Sequence, residues 1–258
     1  MRVTILGCGG AGGVPALSYG WGLCDPANPK NRRRRPAILV ESGDTSILID
    51  TPPDLREQLL DSGTRRLDAV LYSHEHADHV HGIDDLREIN RIMRAPIHVH
   101  ATPRAMAGIR ARFAYAFSTH ETGEFPIYKP WLIPHEIAGP FPVNGIEVTP
   151  FEQDHGYDMS SLGFRMGPVA YSTDVVNLND AAFAALEGVR LWIVDCFTDR
   201  EHATHAHLDK SLEWIARLKP ERAILTHMSP RLDYEVLKAS IPAGIEPAYD
   251  GLTLEVPT

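Results

Sequence analysis

Cysteine is scarce in this chain: Cys8, Cys24 and Cys196 are the only three among 258 residues. They are far apart and odd in number, so they build neither a disulfide framework nor a thiolate zinc knuckle, and such sparing use suits a reducing cytosol. No stretch approaches the ~18 apolar residues of a membrane span. The opening Met1–Gly7 runs straight into a strand-like segment, with too short an apolar part for a signal peptide. The expectation is a cytoplasmic protein with no membrane partner. Positive charge is also in deficit, with 25 Lys plus Arg against 34 Asp plus Glu and a formal charge of −9. That balance argues against extended, sequence-independent nucleic-acid binding, which relies on cationic surface to neutralise phosphates. A small phosphorylated ligand needs only a local patch and stays open. Low-complexity linkers and short-period repeats are missing too, so one domain over residues 1–258 is expected.

What is present is an ordinary globular composition, 43% hydrophobic and 23% charged, in a chain long enough to bury roughly three-quarters of its unfolded surface. Apolar, β-branched runs recur at Val3–Gly7, Ala37–Val40, Ser46–Ile49, Ala69–Tyr72, Ile97–His100, Val143–Thr149, Val169–Ser172, Leu191–Val194 and Ala223–Thr226. Gly43-Asp44 and Asn144-Gly145 are hairpin signals. Helical spacing is found over Asp54–Asp61, Ile83–Arg94, Pro103 to about Ala116, Ala181–Leu186 behind the cap Asn179, Leu208–Leu218 and Asp233–Ser240. Early hairpins followed by alternating strands and helices suggest an α/β fold of mixed sheets with helices outside. The segment Ser118–Pro142, rich in Pro and aromatics, reads as a surface loop of the kind that shapes binding sites.

Histidine is the anomaly, at 13 residues. Directly after the strand Ala69–Tyr72 comes Ser73-His74-Glu75-His76-Ala77-Asp78-His79. Residues two apart in an extended loop point the same way, so His74 and His76 can grip one ion, while Asp78 and His79 face a second as the chain turns into a helix. Imidazole with one carboxylate per ion suits zinc, manganese or iron. A local cluster cannot close two coordination spheres; His155, Asp174 and His227, each at a predicted strand end, are the distant candidates, strand ends being where layered α/β folds keep their chemistry. The bland alternative is a solvated, His-rich turn.

In these residues the chain resembles the metallo-β-lactamase superfamily of binuclear hydrolases, whose HxHxDH signature is matched in full at His74, His76, Asp78 and His79, with His155, Asp174 and His227 in the expected order. The resemblance covers almost the whole chain and implies a four-layer αββα sandwich holding two divalent ions, zinc or manganese. It implies His74, His76 and His155 on one ion, Asp78, His79 and His227 on the other, Asp174 between them, and Asp50 as a buried brace for the ligand loop. Gly12-Gly13-Val14-Pro15, the run Asn31–Arg35 and Leu225-Thr226-His227 look like one branch, the phosphoribosyl 1,2-cyclic phosphate phosphodiesterase group. That group carries a separate structural zinc on clustered cysteines and a late histidine. Here Cys24 stands alone and Pro230 replaces the histidine, so no third metal is expected.

The reading is a hydrolase of small phosphodiesters, cyclic phosphates of ribose or nucleotides, using water made acidic between two ions. Asp78 and His205 are the catalytic assignments. The resemblance places the group's acid/base histidine at His205, and imidazole suits that role because its unperturbed pKa is about 6.5; His207 is the alternative. Other readings are hydrolysis of a thioester, lactone or β-lactam, or a non-catalytic metabolite binder. A homodimer is compatible with the sequence. Gly7-x-Gly9-x-x-Gly12 formally fits a dinucleotide fingerprint, but Gly13-Val14-Pro15 opposes the helix that fingerprint needs. Arg32–Arg35 reads as a solvated or ion-paired face, with phosphate binding as the alternative. His98 and His100 read as surface or satisfied side chains, and Asp195 as a group orienting a ligand histidine or a plain strand-end carboxylate.

Overall fold

The computed structural model describes residues 1–118 and 128–257. The first sheet takes strands β1 (Arg2–Gly7), β2 (Ala37–Ser42), β3 (Thr45–Ile49), β4 (Ala69–Leu71), β5 (Ile97–Ala101) and β6 (Leu132–Glu136). The second takes β7 (Phe141–Val143), β8 (Ile146–Asp154), β9 (Ser160–Met166), β10 (Val169–Ser172), β11 (Leu191–Asp195), β12 (Arg222–Thr226) and β13 (Ile245–Pro247); β14 (Thr253–Glu255) then returns to the first. Their orders are β14-β1-β2-β3-β4-β5-β6 and β13-β12-β11-β10-β9-β8-β7, seven strands each.

Period-two alternation decides which residues go between the layers. Ile38, Ile47, Ile49 and Leu71 of the first sheet share one core with Phe164, Tyr171 and Ile193 of the second. The alternate residues Leu39, Leu48, Val70 and Val99 face outward, under helices α1 (Leu55–Ser62), α3 (Leu86–Met93) and α4 (Pro103–Arg112); a short α2 (Ala77–Val80) follows β4. Over the second sheet lie α5 (Asp180–Leu186), α6 (Leu208–Leu218) and α7 (Tyr234–Ser240), burying Phe183, Trp214 and Leu237. The result is the four-layer αββα sandwich. Helix starts follow their caps: Thr102 accepts from Ala105 N at 3.1 Å ahead of Pro103, Asn179 accepts from Ala182 N at 2.8 Å, and Asp233 accepts from Glu235 N and Val236 N. In each sheet the strands joined through helices run parallel, β3 through β6 and β10 through β13. Parallel pairing brings the carboxyl ends of these strands to one edge, where the loops carrying His74, Asp174 and His227 emerge.

Three expectations need correction. The strand read over Val143–Thr149 is two strands, β7 and β8, folded back at Asn144 and Gly145, whose φ of 45° and 88° suit a tight turn. The helix from Pro103 ends at Arg112, with a separate 3₁₀ turn over Ala114–Phe117. The loop read over Ser118–Pro142 falls partly on residues 119–127, outside the described residues; the remainder contains β6, an edge strand whose Pro134 disguised it. Proline is tolerated there because an edge strand has one side without ladder bonds.

β6 also settles His98 and His100. His98 Nδ1 lies 2.8 Å from His135 Nε2, and the His100 ring stacks between His135 at 4.7 Å and Phe141 at 4.5 Å. Burial, then the neighbouring His135 and His98, pull the His100 pKa down to about 4. The folded state therefore refuses a proton that the unfolded chain accepts below about 6.5. Stability contributed by neutral His100 is complete above that pH and drains away as pH falls towards 4. In urea titrations at pH 7 and pH 5, His100→Gln is expected to lose less stability on acidification than the parent; an equal loss contradicts this.

Candidate metal centre

The ligand loop is built on Asp50, at the end of β3. Its carboxylate is fully buried and accepts from Ser73 N at 2.8 Å, Ser73 Oγ at 2.8 Å and His79 Nδ1 at 2.7 Å. Burial pushes its pKa up while His79 and Ser73 pull against that shift. The turn that aims it needs a left-handed backbone, φ 65°, and Asp174 and His227 repeat the conformation at 55° and 59°. Non-glycine residues rarely sit there, and three such positions in one site are strain concentrated at a functional edge. Gly82 lets the turn at Pro52 close on α2: a Cβ there would lie 2.1 Å from Pro52 O.

All seven side chains read as ligands converge. Ligand atoms of His74, His76 and His155 lie within 4.8 Å of one another, as do those of Asp78, Asp174 and His227, and those of His74, His79 and Asp174. Asp174 stands between two groups: its Oδ1 faces His155 Nε2 at 3.6 Å and His74 Nε2 at 4.0 Å, and its Oδ2 faces His79 Nε2 at 3.1 Å and His227 Nδ1 at 3.4 Å. Asp78 Oδ2 is 3.3 Å from His79 Nε2.

The outer hydrogen bonds indicate what the inner faces are for. His79 Nδ1 faces a carboxylate and His155 Nδ1 faces the Thr204 carbonyl at 2.9 Å, partners that only accept, so both rings carry their proton on Nδ1. The Ser73 hydroxyl, already donating to Asp50, accepts a hydrogen bond from His74 Nδ1–H at 3.0 Å. Each Nε2 therefore faces inward, the arrangement that orients imidazole towards a metal, which would displace any proton held there. The Nε2 atom of His74 is buried with no hydrogen-bond partner, an expensive condition for a polar atom unless something else binds it, and that of His79 meets only the Asp174 and Asp78 carboxylates, at 3.1 and 3.3 Å. Charge points the same way. Burial lowers the His79 pKa, yet Asp174, Asp78 and Asp50 together hold it well above the ordinary value. Burial would raise Asp174, but His227 and His79 hold it well below the usual carboxylate range. Burial keeps His74 well below its ordinary value. Three carboxylates around buried imidazoles suit a divalent cation, and the N/O donor set suits zinc or manganese.

His205, the predicted acid/base residue, is in the site: Nδ1 is 3.1 Å from Asp195 Oδ2 and 3.9 Å from Asp174 Oδ1, and the ring stacks on His227 at 4.8 Å. His207 instead caps α6 through its backbone. Asp195 therefore orients a histidine. Burial pushes its pKa up to about 8, and its position opposite Thr226 in the β11–β12 ladder brings it beside His227. His81 is exposed and meets Phe113, away from the ligand group. The glycine stretch opens no helix; Gly10 passes 3.6 Å, measured from a notional Cβ, from His227 Cδ2. Two of the four arginines in the run are ion-paired, Arg35 with Asp54 at 2.8 Å and Arg34 with Asp61, while Arg32 lies over the Trp21 ring. Arg33 departs from that reading: it is buried, and its guanidinium donates to Leu232 O at 2.7 Å and Ser229 O at 3.3 Å. The sequence reading missed Phe197 and gave His202 no role; Phe197 stacks on His205 at 4.6 Å and the His202 ring lies tilted beside it at 5.2 Å. An isolated aromatic after a strand gives no periodic signal.

Comparison with known proteins agrees with this geometry. The family model of the β-lactamase superfamily domain matches residues 45–228. A crystal structure of a new diphosphatase from the PhnP family is 32% identical, covers 99% of this chain and 98% of its own, and superposes with a TM-score of 0.90. The structure of Zn(2+)-bound PqqB from Methylobacterium extorquens shares the fold at 22% identity, with a TM-score of 0.75 over 99% of this chain and all of its own. An octanoyltransferase of Porphyromonas gingivalis is 32% identical over 98% of this chain; the chain spans only 51% of that relative's length. A ribonuclease Z of Bradyrhizobium sp. is 40% identical over 79 residues, 29% of this chain and 26% of its own. The chain belongs to the metallo-β-lactamase superfamily of hydrolases. Among the described residues, no helix is long and apolar enough to cross a membrane.

If the inward Nε2 atoms await a cation, adding zinc or manganese to chelator-stripped protein should raise its unfolding temperature. At a hundredfold excess over Kd the gain is about 2.7 kcal/mol. His74→Ala should abolish the shift; an unshifted parent protein counts against a metal site.

Proposed function

We propose that this protein is a metal-dependent phosphodiesterase acting on small phosphorylated substrates, cyclic phosphates of ribose or of nucleotides. The observation that carries the reading is the split of Asp174, one oxygen towards His74 and His155 and the other towards His79 and His227. On this reading His74, His76 and His155 hold one divalent ion, Asp78, His79 and His227 hold a second, and Asp174 serves both. Ions bound there supply Lewis acidity towards phosphoryl oxygens and make water acidic enough to react near neutral pH. Asp78 enters catalysis as a ligand that fixes this charge, its own carboxyl held below the ordinary range against burial by His79.

The chain's own proton chemistry falls to His205. With Nδ1 donating to Asp195, its Nε2 is the atom free to give a proton to the departing sugar oxygen. When ionised, the buried Asp195 side chain stabilises the imidazolium that must exist before transfer, and pairing with that cation opposes the burial that raises its own pKa. The formal charge of −9 favours small substrates over extended nucleic acid. A second reading, hydrolysis of an acyl ester or thioester, is favoured by the relative named an octanoyltransferase, and the same donor set would serve it.

Metal-loaded protein is expected to hydrolyse bis-p-nitrophenyl phosphate and a 2′,3′-cyclic nucleotide faster than p-nitrophenyl octanoate; the reverse preference would install the acyl reading. His205→Ala should cut kcat by about 10²–10⁴, with His207→Ala near the parent. Full turnover by His205→Ala overturns the assignment.

A further inference from the structure

Beside the metal centre, and sharing His205 with it, lies a cavity of about 680 Å³ whose walls include Gly10, Tyr19, Leu23, Phe197 and, at the rim, Arg200. Its size is that of a small-molecule site. Its shape comes from two decisions of the sequence. Gly10 has no Cβ; one added there would lie 2.7 Å from the Phe197 ring, so glycine lets that ring lie flat against backbone. Phe197 in turn stacks on His205 with 27° between the planes, presenting aromatic surface next to the catalytic imidazole. Across the opening, Tyr19 and Leu23 are 78% and 65% exposed. Large apolar side chains gathered on one concave wall, instead of scattered over the surface, mark a place that is covered in use. The Arg200 guanidinium, 67% exposed, has Asp199 at 3.8 Å.

Aromatic faces, a flat glycine floor and a guanidinium at the rim match a planar, π-faced group with polar edges, because every nucleobase presents a face that stacks on such surfaces. A bare ribose phosphate would leave the cavity empty. We propose, building on the phosphodiester reading above, that this cavity is a nucleobase subsite: the phosphate lies at the metal centre, the ribose passes His205, and the base is held at Tyr19, Leu23 and Phe197. The substrates are then nucleotides, and Tyr19 is a residue that determines specificity.

Binding decides this independently of turnover. Calorimetry on the metal-loaded protein should give adenosine 5′-monophosphate an affinity about tenfold or more above that of ribose 5-phosphate. Tyr19→Ala should bring the two close together and Tyr19→Phe should restore the gap. Equal affinities in the parent overturn the proposal, as does a Tyr19→Ala variant that keeps the full gap, and tighter binding of octanoate than of the nucleotide replaces the base with an acyl chain. In turnover, 2′,3′-cyclic AMP should exceed ribose 2,3-cyclic phosphate in kcat/KM by a similar factor. Equal hydrolysis of both defeats the subsite and leaves the phosphodiester reading standing. Hydrolysis of neither, with the binding gap intact, defeats the phosphodiester reading and leaves the subsite.

Discussion

A single buried carboxylate, Asp50, holds the functional edge together. It is fully excluded from water, and a charge in that position is costly unless it is paired and hydrogen-bonded. The chain answers by bringing three donors to it: a backbone N–H, the Ser73 hydroxyl and the His79 imidazole. Those three bonds fix where the loop after β4 begins, which hydrogen of His79 points backwards, and, through Ser73, how the His74 ring is turned. Without this anchor, the clustered histidines His74, His76 and His79 would be a polar turn with free rotamers. With it they become a set of ring nitrogens facing one space.

The second constraint is topological. Parallel pairing in each sheet sends the carboxyl ends of β4, β10, β11 and β12 to one edge, so groups from residue 74 to residue 227 meet although they are distant in the chain. The backbone pays locally for this, with Asp50, Asp174 and His227 all in the left-handed region. Such conformations persist only where packing over-determines them. Here the packing is the core between the sheets, from Ile49 and Leu71 to Tyr171 and Ile193. The fold's stability and the site's geometry are therefore carried by the same residues.

Specificity has a different origin from chemistry. A diphosphatase of the PhnP family at 32% identity and a ribonuclease Z at 40% identity over 79 residues both resemble this chain; on the function proposed above, the centre supplies the chemistry and its surroundings the choice of substrate. The wall beside His205 is made from the N-terminal loop and the segment after β11. Buried Arg33 fastens that loop, donating to carbonyls of Ser229 and Leu232. A buried guanidinium with several acceptors can hold two segments in fixed relation because its donors lie in a rigid plane.

The central motif was legible because chemistry and spacing coincide there: five titratable side chains within six residues after an apolar run are rare enough to be read without coordinates. The strands that flank it were legible by their β-branched runs, and the helices by their caps. Lost to the reading were β6, disguised by Pro134; β9, interrupted by Ser, Gly and Arg; and the short β13 and β14, too brief for a periodic signal. His205 and His207 were equivalent in composition. Only the turn ahead of α6 distinguishes them, placing one ring over His227 and Asp195 and leaving the other as a backbone cap. Within Arg32–Arg35 nothing in the sequence marks Arg33 as the buried member.

Sequence alone determined the donor types, their order and the layered alternation, because these follow from side-chain chemistry and from the two-residue period of a strand. Tertiary structure decided which histidine faces the centre, which arginine is buried and what stands beside the site, because each depends on contacts between residues tens to hundreds of positions apart.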